Sequence, residues 1–497
     1  TTVDMVIGMI MIVLVLDGTR RSFGPVLPLI CSLAVAYAFL GHLIPGPLHS
    51  PDFSFGQIIS RLSIGLDGIY GLVLGISAYY IFLFIVFGTM LQVTGATKFF
   101  EGIGTLIGRR VRSGPAMAAV TTSGLVGMIS GSVAANIAIT GSFTIPLMKR
   151  VGYTPEQAAA IEATASTGGQ IMPPVMGAAA FVMAGITGIP YVQIIAVAAI
   201  PAVLYFSMAG LYAQLQAMKL DITPGDDKVD VREMLFTAPL FLLPLVVLIF
   251  FLIRGNTATY AVFWAFISIV VLSLIRKKTR PSWRAWVDGC VKGATSGAQI
   301  GVMSGAIGLI IVTLSMTGLG IKLPGLITAW SGGNLPLALL IGMATAIILG
   351  SGMPTTAVYI IVALVAAPAL VKMGLSLLQA HFFLFYFACL NFVTPPVAIG
   401  SLLAAKIAGA NYLKTSFEAV KAALGGFAVP FLIIFCPVLI LQPQPFLTAA
   451  TGLLASLLGL VALQLTLTRQ FLTRLDKSRT AFFAVTSGLL FSFLLHR

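Results

Sequence analysis

Long apolar stretches separated by short polar connectors run along the chain. Most approach the roughly 20 residues that carry a helix across a bilayer. They predict helices at residues 3–16, 24–44, 70–93, 190–218, 234–253, 257–275, 298–317, 411–441, 446–468 and 480–495. Residues 54–68 have a mixed pattern that predicts a segment lying along the surface, and 285–296 reads as a connector into the helix at 298. The alternating short strands of a barrel are absent from the pattern. The expected fold class is an all-α polytopic membrane protein.

Four apolar stretches break this regularity. Residues 115–148 have Arg112 before them and Lys149 and Arg150 after them. A single crossing would put those basic flanks on opposite sides. The pattern therefore predicts a re-entrant helical hairpin that enters and leaves on one side, with Ser130, Gly131 and Ser132 at its tip. Residues 335–371 predict a second hairpin. Residues 155–188 and 376–410 each read as a helix broken by polar and proline-rich sequence, at 166–174 and 391–396. Such breaks free backbone groups that lipid cannot satisfy, so they need protein cover or a wet cavity. Paired breaks in two halves of a chain point to a transporter's binding site.

The four stretches form two copies of one unit. Pro146, Gly152, Gln157, Pro173, Pro174 and Val175 match Pro368, Gly374, Gln379, Pro395, Pro396 and Val397 at a constant offset of 222, and Leu91, Thr94 and Gly95 match Leu314, Thr317 and Gly318 at 223. The Pro and Gly matches carry the weight, because those residues serve particular backbone roles. The expected division is 1–69 as an entry region, 70–218 as the first repeat, 219–297 as linker and scaffold helices, 298–441 as the second repeat, and 442–497 as extra helices.

Composition excludes a soluble protein: 58% of the residues are hydrophobic and 9% charged, against roughly 25% charged in ordinary globular chains. The net charge of +14 invites a nucleic-acid reading. Its placement in short connectors beside apolar runs instead marks membrane orientation. With Arg20 and Arg21 inside, the predicted path leaves Arg61, Arg254, Lys322, Lys372 and Arg497 outside and the other 24 of 29 basic residues inside. The first hairpin then opens from the inner face and the second from the outer face, so the repeats are inverted. The four cysteines are scattered, with no metal spacing. No phosphate-binding G-x-x-x-x-G-K-[ST] occurs.

Several stretches resemble a known family. I-S-G-S-V-A-A-N, G-S-F-T-I-P-L-M-K-R-V-G-Y, E-A-T-A-S-T-G-G-Q-I-M-P-P-V-M-G-A-A and G-S-G-M-P-T-T-A-V-Y look like the large membrane subunit of TRAP transporters. The match is closest to the fused, TAXI-associated permeases, and it covers roughly residues 1–440. Residues before 50 resemble the last part of the fused small subunit, which implies that its earlier helices are absent from this chain. The resemblance implies a bacterial or archaeal cytoplasmic membrane protein. It further implies sodium-coupled uptake of organic acids delivered by an extracytoplasmic TAXI-type binding protein. The implied motion is an elevator, in which hairpins and broken helices move against a fixed scaffold. Sodium ions couple transport, and no other cofactor is expected.

The residues at the breaks suit that chemistry. Sodium takes hard oxygen ligands, and the tips offer neutral hydroxyls, amides and carbonyls without carboxylates. The sodium candidates are Ser130, Ser132, Asn136, Gly168, Gly350, Ser351, Met353, Thr355 and Thr394. The substrate candidates are Val133, Thr167, Gln170, Pro173, Pro354, Thr356, Asn391 and Pro395. Helices are expected to start near Val133 and Thr355, and helix N-termini attract carboxylates. No Lys or Arg lies in either tip. The plainer reading is that small residues at these positions only allow close helix packing.

Glu162 on the first broken helix is a candidate proton carrier. Its nearness to Pro155 favours a structural residue near the inner interface. His42, His49, His381 and His496 read as solitary and interfacial. A stand-alone anion symporter without a binding protein is the alternative function. A membrane enzyme would need a catalytic pair such as an H-E-x-x-H helix, which is absent from the sequence.

Overall fold

The computed structural model describes residues 2–222, 230–275, 280–471 and 473–495. The boundary sequence at 223–229, the start of the basic run at 276–279, and His496 and Arg497 lie outside them. Among the described residues the architecture is helical, apart from a single bridge between Gln470 and Arg474. Among the described residues, eleven helices are long and apolar enough to cross a membrane. This is a multi-pass all-α membrane protein.

Both predicted hairpins form. The first joins Pro115–Ser130 to Val133–Arg150 through Gly131 and Ser132. Gly131 turns the chain at φ 58°, a left-handed conformation that favours glycine. Ser132 then caps the second arm by accepting the Ala135 N–H at 3.4 Å. The second hairpin joins Leu335–Gly350 to Thr355–Lys372. The broken helices are Pro155–Gly168 followed by Ala178–Thr187, and Leu377–Leu390 followed by Ile399–Ala408.

The duplication extends to backbone detail. Thr154 and Gln157 form a reciprocal capping box at the start of the first broken helix, and Ser376 and Gln379 form the same box in the second. Each break contains a cis Pro-Pro bond, at Pro173–Pro174 and Pro395–Pro396. Met176 and Ala398 follow these at positive φ, at the same offset of 222. The Tyr191 hydroxyl donates to the Pro174 carbonyl at 2.8 Å, and the Tyr412 hydroxyl donates to the equivalent Pro396 carbonyl at 2.5 Å.

The hairpins approach from opposite ends. Helices Tyr191–Lys219 and Tyr412–Phe435 run antiparallel: Tyr212 bonds Glu418, while Tyr205 abuts Gly426. The base of the first hairpin sits at the C-terminal end of the 191–219 helix, where Ser113 meets Gln214 and Tyr153 meets Ala213. The base of the second hairpin sits at the other end. There Gln379 donates to the carbonyls of Ile433 and Ile434, and Gln442 to Ser376.

Three connecting segments are more ordered than their sequence suggests. Residues 285–296 belong to one continuous helix, Trp283–Thr317. Gly289, Gly293 and Gly297 resemble linker residues in sequence. Their spacing of four puts them on one face instead, against Met90, Val86 and Phe82 of the neighbouring membrane helix. Residues 55–64 are helical; they bury Ile58, Ile59 and Leu62, with Ile59 against Gly8 of the first helix, and expose Phe55, Ser60, Arg61 and Ile64. The expected connector at 318–334 contains the helix Leu319–Trp330, which Gly318 introduces at φ 76°. Gly95 does the same at φ 86° before Ala96–Gly108.

Candidate functional site

Both hairpin tips converge on Gln170, in the first break. Its amide nitrogen donates to the Gly131 carbonyl at 3.3 Å, and its amide oxygen accepts the Thr355 hydroxyl at 3.0 Å. One side chain thus joins the first tip to the first residue of the second hairpin's second arm. The half-helices reinforce this meeting by crossing between repeats. Ala178–Thr187 packs on the 355–372 arm, and Ile399–Ala408 packs on the 133–150 arm.

Glycines set the closeness of the tips. A Cβ on Gly127 would lie 2.6 Å from the Gly169 Cα, and one on Gly169 would lie 2.5 Å from the Gly127 Cα. A Cβ on Gly350 would lie 2.6 Å from the Asn391 amide nitrogen. Gly169→Ala should therefore push the first hairpin off the first break. The expected result is a loss of about 1–3 kcal/mol, read as a lower melting temperature of the purified protein. An unchanged melting temperature would contradict the backbone contact.

The oxygen chemistry has a consistent direction. The hydroxyls of Thr167, Ser351 and Thr394 donate to the carbonyls of Ala163, Ile347 and Leu390, one turn back in their helices. The amides of Asn136 and Asn391 donate to the carbonyls of Ser123 and Ala388. A hydroxyl whose single hydrogen is committed presents only lone pairs elsewhere, and each amide still offers its carbonyl oxygen. That character suits a cation.

Other expected positions face different neighbours. Gly168 packs against Tyr205 and Phe206, and its carbonyl accepts the Ile171 N–H. The Gly350 carbonyl accepts the Met353 N–H. Met353 is fully buried and Thr356 is buried. Val133 lies against Gly400 of the second repeat, so the start of the first hairpin's second arm is also a repeat contact. Pro354 caps the opposite arm in extended conformation. Pro173 and Pro395 each begin a cis pair.

Two side chains are more enclosed than the sequence suggests. Glu162 is fully buried between the broken helix and both arms of the first hairpin. Its carboxylate accepts hydroxyls from Ser123 at 2.8 Å, Thr140 at 2.5 Å, Thr144 at 2.6 Å and Ser166 at 3.1 Å. His381 is not solitary. It is buried in the second broken helix, with its Nδ1 2.8 Å from the Tyr359 hydroxyl of the second hairpin. The first repeat therefore buries a carboxyl group, and the second an imidazole, between its broken helix and its hairpin. The spacing of Thr140 and Thr144 from Ser123 and Glu162 gives no sequence signal of this, because the four meet only when three helices pack.

Beside the first tip lies a cavity of about 230 Å³. Ser130 and Ser132 form its hairpin wall, and the helices Phe82–Val93 and Trp283–Thr317 form the facing wall. Although the tips hold no basic residue, the Trp283–Thr317 helix brings Lys292 to this cavity.

Comparison with known proteins agrees with this geometry. Residues 10–444 match the DctM component of the tripartite ATP-independent periplasmic transporters. The chain is also 22% identical over 321 residues to the uncharacterized protein y4mL of Sinorhizobium fredii (strain NBRC 101917 / NGR234), covering 62% of this chain and 74% of that protein. With the family matched across both hairpins and both broken helices, this chain belongs to the DctM component family, a membrane component of tripartite ATP-independent periplasmic transporters.

Proposed function

We propose that this chain is the permease of a sodium-coupled, binding-protein-dependent importer of organic acids in a bacterial or archaeal cytoplasmic membrane. The hairpins and broken helices form the moving body, with the divisions expected from the sequence, and the long crossing helices form the scaffold. The observation that carries this reading is the Gln170 bridge, which gathers both tips into one neutral, oxygen-rich place. Sodium ions occupy the two clusters, around Ser130, Ser132, Asn136 and Gly168, and around Gly350, Ser351, Met353, Thr355 and Thr394. A carboxylate sits between the helix starts at Val133 and Thr355, beside Thr167, Gln170, Pro173, Pro354, Thr356, Asn391 and Pro395. N-terminal helix charge suits a substrate that must also leave.

The partner is a TAXI-type binding protein. It docks on the outer face at 45–55, 254–257, 318–334 and 372–375. These segments carry few charges, so docking is transient and electrostatics act mainly on encounter rate.

The test is uptake of labelled carboxylates into vesicles holding the permease, with a sodium gradient. Adding the cognate binding protein should switch uptake on. Ala at Ser130, Asn136, Ser351 and Thr355 should each weaken sodium activation. Sodium activation unchanged in all four would remove the ion-site assignment. Equal uptake without the binding protein would favour the stand-alone symporter.

A further inference from the structure

We propose that Lys292 is the scaffold's anion contact, a specificity-determining cation that engages the carboxylate when the first hairpin tip faces it. The inference rests on the carboxylate-permease reading above and adds a residue outside both repeats' tips. Two membrane helices present polar faces to the cavity. Thr89 and Gln92 come from Phe82–Val93, and Lys292, Ser296 and Gln299 come from Trp283–Thr317. The spacing 292, 296, 299 follows one helix face, so this side of a mostly apolar helix is selectively polar.

Lys292 lies nine residues into its helix, about 14 Å from the start. The Lys292 side chain is exposed where the helix borders the cavity, and a lysine on a helix read as crossing a membrane marks a candidate functional position with a partner to be identified. No acidic residue lines the cavity. Among the described residues Lys292 forms no ion pair; its exposed neighbour Asp288, one turn earlier, is not bridged to it. The opposite wall offers the Ser130 hydroxyl, buried and without a partner among the described residues, and the start of the Val133–Arg150 helix. An anion placed there would meet a fixed ammonium on the scaffold and hydrogen-bond donors on the hairpin. Because Lys292 and the hairpin belong to different bodies, displacement of the hairpin would separate the two halves of the site. Release would then follow from the motion itself.

The experiment uses the full chain reconstituted with its cognate binding protein, and acetate, succinate and citrate as probes. Acylation of Lys292 by an amine reagent is followed by mass spectrometry, in parallel with sodium-driven uptake of each labelled probe. A transported probe should slow acylation of Lys292 roughly fivefold when present at about four times its dissociation constant. Lys292→Gln should raise the uptake KM roughly tenfold, the scale of one lost charge-assisted contact, with little change in maximal rate, and Lys292→Arg should restore it. Intact uptake with acylation unaffected by any probe, or Lys292→Gln with an unaltered KM, would overturn the proposal alone. Absence of uptake of all carboxylates by the wild type would overturn the permease reading, and this proposal with it.

Discussion

Glu162→Ala should give a protein that folds weakly or not at all, with Glu162→Gln falling much less. The carboxylate ties Ser123, Thr140, Thr144 and Ser166 into one buried node. Its removal deprives hydroxyls on three helices of their shared acceptor and leaves a void. Thr140 and Thr144 can fall back on the carbonyls of Asn136 and Thr140, at 2.8 and 2.9 Å. Ser123 retains only the Thr140 hydroxyl at 3.0 Å. The net loss should still be about 2–5 kcal/mol, from the void and from hydroxyls left without their acceptor. Glutamine keeps the shape and one carbonyl acceptor, and its NH₂ can donate to a threonine oxygen. Thermal unfolding of the three purified proteins measures this. A Glu162→Ala protein as stable as the parent would show that the hydroxyl cluster does not hold the hairpin on the broken helix.

Gln170→Leu should uncouple the two hairpin tips while leaving each repeat folded. The substitution keeps most of the side-chain volume but deletes a donor to Gly131 and an acceptor from Thr355. The Thr355 hydroxyl, buried at 3% exposure, then loses its partner. Two buried hydrogen bonds of about 1 kcal/mol each amount to more than a tenfold change in the population of the joined state. Sodium-driven uptake should fall by about that factor, with melting temperature changed far less than by Glu162→Ala. Gln170→Glu gives a second test. It keeps the acceptor for Thr355 and places carboxylate oxygens against the Gly131 carbonyl, so it should also separate the tips. Full uptake in both variants would show that the tips act independently.

Much of this protein was determined by local sequence. Apolar runs near the length of a bilayer crossing fixed the class. Pro, Gly and capping residues fixed the hairpin tips and both breaks. These residues act through their own backbones, so the signal at Gly131, Thr154, Pro173 and Pro174 is short-range and recurs at Gly352, Ser376, Pro395 and Pro396. The placement of the two hairpin bases at opposite ends of the antiparallel helices agrees with the basic flanks, which record which side a short connector occupies.

Other features required the packed molecule. Gly289, Gly293 and Gly297 are ambiguous in isolation, since the same residue that loosens a linker allows two helices to touch; contact with the Phe82–Val93 helix decided the matter. Glu162 looked peripheral because nearness to Pro155 in sequence says nothing of burial. Its burial follows from hydroxyls contributed by residues as far away as Ser123. The meeting of Gln170 with Thr355 spans 185 positions, and Lys292 reaches the first tip from outside the first repeat altogether. Periodicity and flanking charge are properties of neighbouring residues and survive in the chain read alone. The node at Glu162, the bridge at Gln170 and the cation at Lys292 arise only where separate helices bring their side chains into hydrogen-bonding or cavity contact.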